Sequence, residues 1–281
     1  MARPSGARGL APALLPRKGA ILCARAAIDK LQMKRIFLLI TFTLLPLALV
    51  ARSPRPVGIT VARTFPYSMV GQLVFFSGNT SYVGSGTVVQ PFGVLTAGHN
   101  LYDEFGGWST DLVFKRSHYN NSELSVRTAA RSYVLAGYQS NVQLYGSEDV
   151  RSFARDTGGL TFQLRPAGGA YLGWTTTTSV LTTTMPKAVF GYGAEVHSGE
   201  QLLVVGATPF HPVYSTFYES DNTAIEGGMS GGPVIATLPD GSYAQCGIVV
   251  SGSEAPVTGG IRVLNTTVSD FILKYLIAPS R

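Results

Sequence analysis

The segment EGGMSGGPVI, Glu226 to Ile235, sets Ser230 among glycines. A serine hydroxyl becomes a nucleophile only when a base takes its proton, and that base usually needs an orienting carboxylate. A tight β-turn without chemistry would use the same glycines, so partners elsewhere in the chain have to decide. Four histidines are available, His99, His118, His197 and His211, and all precede Ser230. His99 lies in GVLTAGHNLYD, where an apolar strand end runs into a turn of small residues that leaves an imidazole uncovered at a rim. His118, in the polar KRSHYNN, reads as a surface residue. For the acid, Asp156 opens the strand-like DTGGLTFQL, and burial there would let it accept the imidazole N–H and hold the tautomer. Asp149, in the more polar GSEDV, is the rival, and Asp156 is preferred.

Chain order prunes the alternatives. The stretch GMSGG, Gly228 to Gly232, also fits the G-x-S-x-G nucleophile elbow, but that arrangement places its histidine after the serine, and none follows here. The order Asp, His, Ser fails too, because the only aspartate before His99 is Asp29, near the amino terminus. His, Asp, Ser is left. A metal centre lacks a third ligand beside His197 and Glu200 in HSGE, and no phosphate loop or dinucleotide fingerprint occurs, so neither metal nor cofactor is expected.

The elements that must position these groups read as all-β. Short runs rich in Val, Tyr, Phe and Thr, such as GQLVFFSG, DLVFKR, QLLVVGATP and QCGIVVSG, alternate with Gly, Pro and Asn clusters. No long amphipathic helices separate them, which excludes a parallel α/β sheet. The clear helix is terminal: Val268, Phe271, Ile272, Tyr275 and Leu276 share one face, with Thr267 expected to cap it and Asp270 three residues on. The Gly-rich RPAGGAYLGW, Arg165 to Trp174, reads as a link between two halves, and the threonine-dense TTTTSVLTTTM after it as an exposed strand or loop.

The net charge of +6 is a property of one end. Eight of the 22 basic residues and one of the 16 acidic residues fall within 1–51, which leaves the remainder at −1 and gives nucleic-acid binding no electrostatic support. Within that end, Lys34 and Arg35 precede an uncharged run from Ile36 to Val50, the pattern of a signal peptide and short for a membrane span. Residues 1–51 are therefore expected to be a leader, with Met33 as the native start and residues 52–61 as a short pro-segment or linker. Of the two cysteines, Cys23 lies in the leader and Cys246 in the body, so the body forms no internal disulfide; about 230 residues can bury a full core without one.

TAGH, DTGGL and GGMSGGP in this order resemble the chymotrypsin-fold serine peptidases. FPYSMVGQL, GSGTVV, LYDEFGGW and GGIRVLN are similar to their bacterial secreted branch, which includes glutamyl endopeptidases. The resemblance spans roughly residues 62–277 and implies two Greek-key β-barrels, 62–168 and 169–281, the second carrying the terminal helix. It implies that His99, Asp156 and Ser230 are catalytic and that the backbone N–H groups of Gly228 and Ser230 form an oxyanion hole. The pocket for the side chain before the cut bond would be lined by Ala224, Ile225, Val250, Ser251, Gly252 and Gly260. Those segments carry no Lys, Arg or His, whereas the glutamyl-specific relatives have a histidine there, so an uncharged side chain is expected. Glu226 and Glu254, flanking the pocket, are expected to face solvent. The implied protein is a secreted or periplasmic monomeric endopeptidase acting on protein or peptide, with no nucleic-acid partner and no membrane attachment once the leader is removed. An esterase on the same fold and a non-catalytic binding module are the alternative functions.

Overall fold

The structure, a computed structural model, describes residues 53–254 and 257–278. The expected leader, 1–51, with its start at Met33, lies outside the described residues. In chain order the first half contains β1 (Arg55–Pro56), α1 (Ile59–Ala62), β2 (Val70–Ser77), β3 (Thr80–Gln90), β4 (Gly93–Thr96), β5 (Tyr102–Asp103), β6 (Gly107–Trp108), β7 (Thr110–Arg116), β8 (Ser125–Thr128), β9 (Arg131–Val134), α2 (Tyr138–Tyr145), α3 (Val150–Phe153) and β10 (Gly158–Thr161). The second contains α4 (Ser179–Thr182), β11 (Lys187–Gly191), β12 (Leu203–Gly206), β13 (His211–Tyr214), β14 (Phe217–Asp221), β15 (Pro233–Thr237), β16 (Tyr243–Glu254), β17 (Val257–Val263) and α5 (Thr266–Tyr275).

Two large antiparallel sheets result among the described residues, each curled into a β-barrel, and β5 and β6 form a separate two-stranded sheet. One large sheet has the strand order β8-β7-β2-β3-β4-β10-β9 and the other β1-β12-β11-β15-β16-β17-β14-β13. The strands fall where Val, Phe, Ile and Thr alternate with turn residues, because branched and aromatic side chains pack on a pleated surface at low entropic cost. Val70, Leu73, Val88, Val94, Phe114, Leu160 and Phe162 fill the first barrel; Val189, Val205, Val234, Cys246, Val249, Ile261 and Val263 fill the second. Each such side chain, fully buried, stabilises the fold by about 1.5–3 kcal/mol before its entropy cost.

Three segments take a definite place. Within the stretch read as a short pro-segment or linker, Arg55 and Pro56 pair with Val204 and Leu203, and the Val57 N–H donates to the Leu202 carbonyl, so residues 55–57 edge the second barrel. The threonine-dense stretch forms the single-turn helix α4, which buries Val180 and Leu181. Helix α5 is capped by Asn265, whose side-chain oxygen accepts from the Val268 N–H at 3.2 Å, rather than by Thr267. Its apolar face is the expected one, with Val268, Phe271, Ile272 and Leu276 buried. Although α5 follows the second barrel in sequence, it packs on β4 and β10 of the first. Gly93 and Gly159 lack the Cβ that would collide with Leu276, and so admit it. No helix among the described residues is long and apolar enough to cross a membrane.

Candidate active site

His99 sits in a 3-10 turn, Gly98–Asn100, directly after β4. Asp156 lies in the short connection between α3 and β10, and β10 pairs with β4, so the two turns are neighbours at the same barrel end. The contact is double. His99 Nδ1 lies 2.6 Å from Asp156 Oδ2, and the His99 backbone N–H donates to Oδ1 at 2.9 Å. Asp156 is 1 % exposed, while the imidazole keeps an open edge. Burial alone would lower the histidine's proton affinity. The charge and hydrogen bond of Asp156, with a smaller contribution from the Glu148 carboxylate, outweigh it and hold the pKa above the ordinary imidazole value. Asp149 has other work: it caps α3 through the Arg151 N–H and pairs with the Arg151 guanidinium at 2.7 and 2.8 Å.

Ser230 lies in the turn that leads into β15. Met229 N–H donates to Glu226 O at 3.0 Å and Gly232 N–H to Met229 O at 2.9 Å, closing two tight turns around the serine. Gly228 and Gly231 lie inside these turns at φ +94° and +85°, in the left-handed region, and a Cβ would strike the Tyr192 carbonyl at the first and Thr96 Oγ1 at the second. Among the described residues, neither the Gly228 nor the Ser230 N–H has a hydrogen-bond partner. His99, Gly228 and Ser230 line one cleft of about 610 Å³, to which both barrels contribute.

A polar network that the sequence did not flag ties this turn to the first barrel. Ser85 on β3 is 0 % exposed; its Oγ accepts from the Tyr192 N–H and donates to the Gly228 carbonyl, both at 2.8 Å. Its N–H, with Asn100 Nδ2, holds the Ser230 carbonyl at 2.8 and 3.0 Å. Thr96 Oγ1 accepts from Asn100 Nδ2 and donates to the Ser85 carbonyl. The available signal was a set of small polar residues inside the otherwise apolar GSGTVV and VLTAGHN.

Two readings are corrected. Glu226 does not face solvent: it is 6 % exposed and accepts from the Val196 and His197 N–H groups at 2.6 and 2.9 Å, with His197 Nδ1 2.7 Å from its second oxygen. Burial opposes ionisation, yet these bonds hold the carboxyl below its usual range. The pairing staples residues 195–197 to the Ser230 turn, and Glu195 adds a bond from the Gly227 N–H. His118 is not a surface residue: its ring is fully buried, between Glu123 at 2.8 Å and Glu200 at 3.1 Å. His197 and Glu200 thus serve different partners and do not converge.

Of the residues expected around the substrate side chain, Ile225, Val250, Ser251 and Gly252 line the cleft. Ala224 and Gly260 do not; Gly260 packs against Ser251 and Phe217 instead. Ile225 lies across two glycines, its Cβ 2.7 Å from where a Cβ on Gly252 would sit and its Cγ1 2.9 Å from the same point on Gly259. Met229, 0 % exposed, packs into the apolar core of the second barrel.

This is the two-barrel fold of chymotrypsin type, and solved structures share it. The protease Anisep from Arthrobacter nicotinovorans is 20% identical over 73% of this chain and 94% of its own, with a TM-score of 0.57. The thermostable serine protease AL20 from an extremophilic microorganism is 19% identical over 72% of this chain and 94% of its own, also with a TM-score of 0.57. A Glu endopeptidase, solved in complex with MPD, is 16% identical over 80% of this chain and 97% of its own, with a TM-score of 0.62. No protein-family model and no curated protein matches the chain.

Proposed function

We propose that this protein is a secreted, monomeric serine endopeptidase that cuts peptide bonds through an acyl-enzyme, with His99 as base, Asp156 as its orienting carboxylate and Ser230 as nucleophile. The observation that carries the reading is the double bond-holding of His99 by buried Asp156 at the edge of a cleft that Ser230 shares. Ser230 Oγ attacks the carbonyl carbon while His99 takes the hydroxyl proton; Asp156 stabilises the resulting imidazolium, and the proton passes on to the leaving amine. The unengaged N–H groups of Gly228 and Ser230 donate to the developing oxyanion, and one such donor is worth about 3 kcal/mol in the transition state. The charged run before Ile36 and the apolar stretch after it support export.

The cleft also bears on substrate choice. Its lining includes Asp103, Glu104, Glu148, Glu195 and Glu226 and no Lys or Arg, which disfavours an acidic side chain before the cut bond. Ile225 spans the space between Gly252 and Gly259, leaving room for a short, uncharged one. The test is covalent labelling with a phosphonofluoridate, followed by mapping of the adduct. Modification of Ser230, with loss of peptide hydrolysis in proportion, is the expected result. A folded sample that does not label, or that labels elsewhere, overturns the proposal.

A further inference from the structure

A second cavity, of about 400 Å³, shares no lining residue with the cleft. Three arginines border it, Arg151, Arg155 and Arg262, together with Asn265 and Thr267 at the start of α5, and no carboxylate lines it. Arg151 is already neutralised by Asp149 and lies over the Tyr145 ring at 3.6 Å. The other two are not. Arg155 is exposed, and its guanidinium gives one hydrogen bond among the described residues, to the Ala136 carbonyl at 3.3 Å.

Arg262 is the unusual one. It is 2 % exposed and makes no ion pair among the described residues. Two of its nitrogens reach neutral oxygens, the Val263 carbonyl and Asn265 Oδ1, and buried Nε has no partner. A guanidinium has five N–H donors, and burying one without a counter-charge costs several kcal/mol. Burial first, then the charge of Arg155, push its pKa down to about 10 against the pull of Asp156, so the group remains cationic at neutral pH.

The first turn of α5 faces the same space. Asn265 satisfies the Val268 N–H, while the N–H groups of Thr266 and Thr267 have no partner among the described residues. A helix start with free N–H groups carries partial positive charge and is suited to an anion. The buried cation and the helix start come from one continuous stretch, Arg262 to Thr267, and the exposed cation converges on them from the first half of the chain, immediately before Asp156.

We propose that this cavity binds a tetrahedral oxyanion of phosphate type, free or as the phosphoryl group of a larger ligand, between Arg155, Arg262 and the amino-terminal turn of α5. Guanidinium groups meet such oxygens with paired N–H donors, and Thr267 supplies a hydroxyl at the same wall. The proposal is independent of the peptidase reading.

The test is calorimetric titration of the full chain with inorganic phosphate at constant ionic strength in chloride, with the thermal midpoint followed in parallel. One saturable site and a midpoint that rises with phosphate but not with matched chloride are expected. Arg155→Ala, at an exposed position that leaves the core intact, should weaken binding about tenfold or more, the worth of a charge-assisted contact. Arg262→Lys should do likewise, because it keeps the charge and loses the fork. A phosphoserine peptide that binds more tightly than free phosphate assigns the physiological source to a phosphoryl group; equal or weaker binding assigns it to the free ion. A response that chloride reproduces, or affinity unchanged in Arg155→Ala, overturns the proposal.

Discussion

Replacing Ser85 by alanine removes one hydroxyl from the wall between the barrels and orphans two backbone groups. Ser85 Oγ accepts the Tyr192 N–H and donates to the Gly228 carbonyl, each at 2.8 Å, and no other partner replaces it. Leaving a buried polar group unsatisfied costs roughly 1–3 kcal/mol. The two groups differ in where they sit. Tyr192 is fully buried and its N–H cannot reach water, so it bears nearly the whole penalty. Gly228 borders the cleft, and water there can take up part of its loss. The expected destabilisation is therefore about 2–3 kcal/mol, read from urea denaturation. A second effect separates a latch from a merely structural residue. In the proposed mechanism Gly228 also presents an N–H to the oxyanion, so a loosened turn should lower kcat by about ten- to a hundredfold, short of the loss of a whole donor, with KM little changed. A stability loss under about 0.5 kcal/mol, the range of an ordinary surface change, would refute the bookkeeping. A loss of kcat/KM carried only by a raised KM, with kcat unchanged, would refute the latch.

Asp156→Asn should lower kcat on the order of 10⁴-fold, because an amide cannot accept both the ring and the backbone N–H of His99 and so favours the wrong tautomer; a loss under about tenfold sinks the assignment. With His99 as the proposed base, activity needs its neutral form, so kcat/KM should rise with pH through a midpoint above the ordinary imidazole value, and Glu148→Gln, which removes one of the charges that raise it, should move that midpoint to lower pH. An unchanged or higher midpoint contradicts the electrostatics. Ile225→Ala should open the space beside Gly252 and Gly259 and shift cleavage, in a peptide library, towards larger residues before the cut bond; an identical profile places the pocket elsewhere. Met229, directly before Ser230, is fully buried in the apolar core of the second barrel. Met229→Asp should accordingly destabilise by several kcal/mol, and wild-type forms starting near Val57 with an acetylated amino terminus should be active. Activity that appears only with a specific free amino terminus would contradict a preformed site.

The sequence by itself determined the β class, the positions of most strands and the apolar face of α5, because these follow from patterns a few residues long: alternation, branched side chains, turn residues and a helical stripe. It also singled out His99, Asp156 and Ser230, since each lies in a short turn with its own composition and their order along the chain excluded the competing arrangements. What only the tertiary structure decided depends on groups far apart in the chain. Ser85 meets Gly228, His197 meets Glu226, and His118 meets Glu200, and in each pair the polar residue looked like a surface or strand position until its distant partner satisfied it. The segment around Arg55 found its place only when the edge of β12 became available to pair with it. Arg262, at a strand position whose neighbours are apolar, gave no sign of being almost wholly buried with no ion-pair partner among the described residues. Local sequence sets backbone propensity, whereas the burial of a charge or hydroxyl is set by which distant group reaches it, and that follows only from the closed pair of barrels.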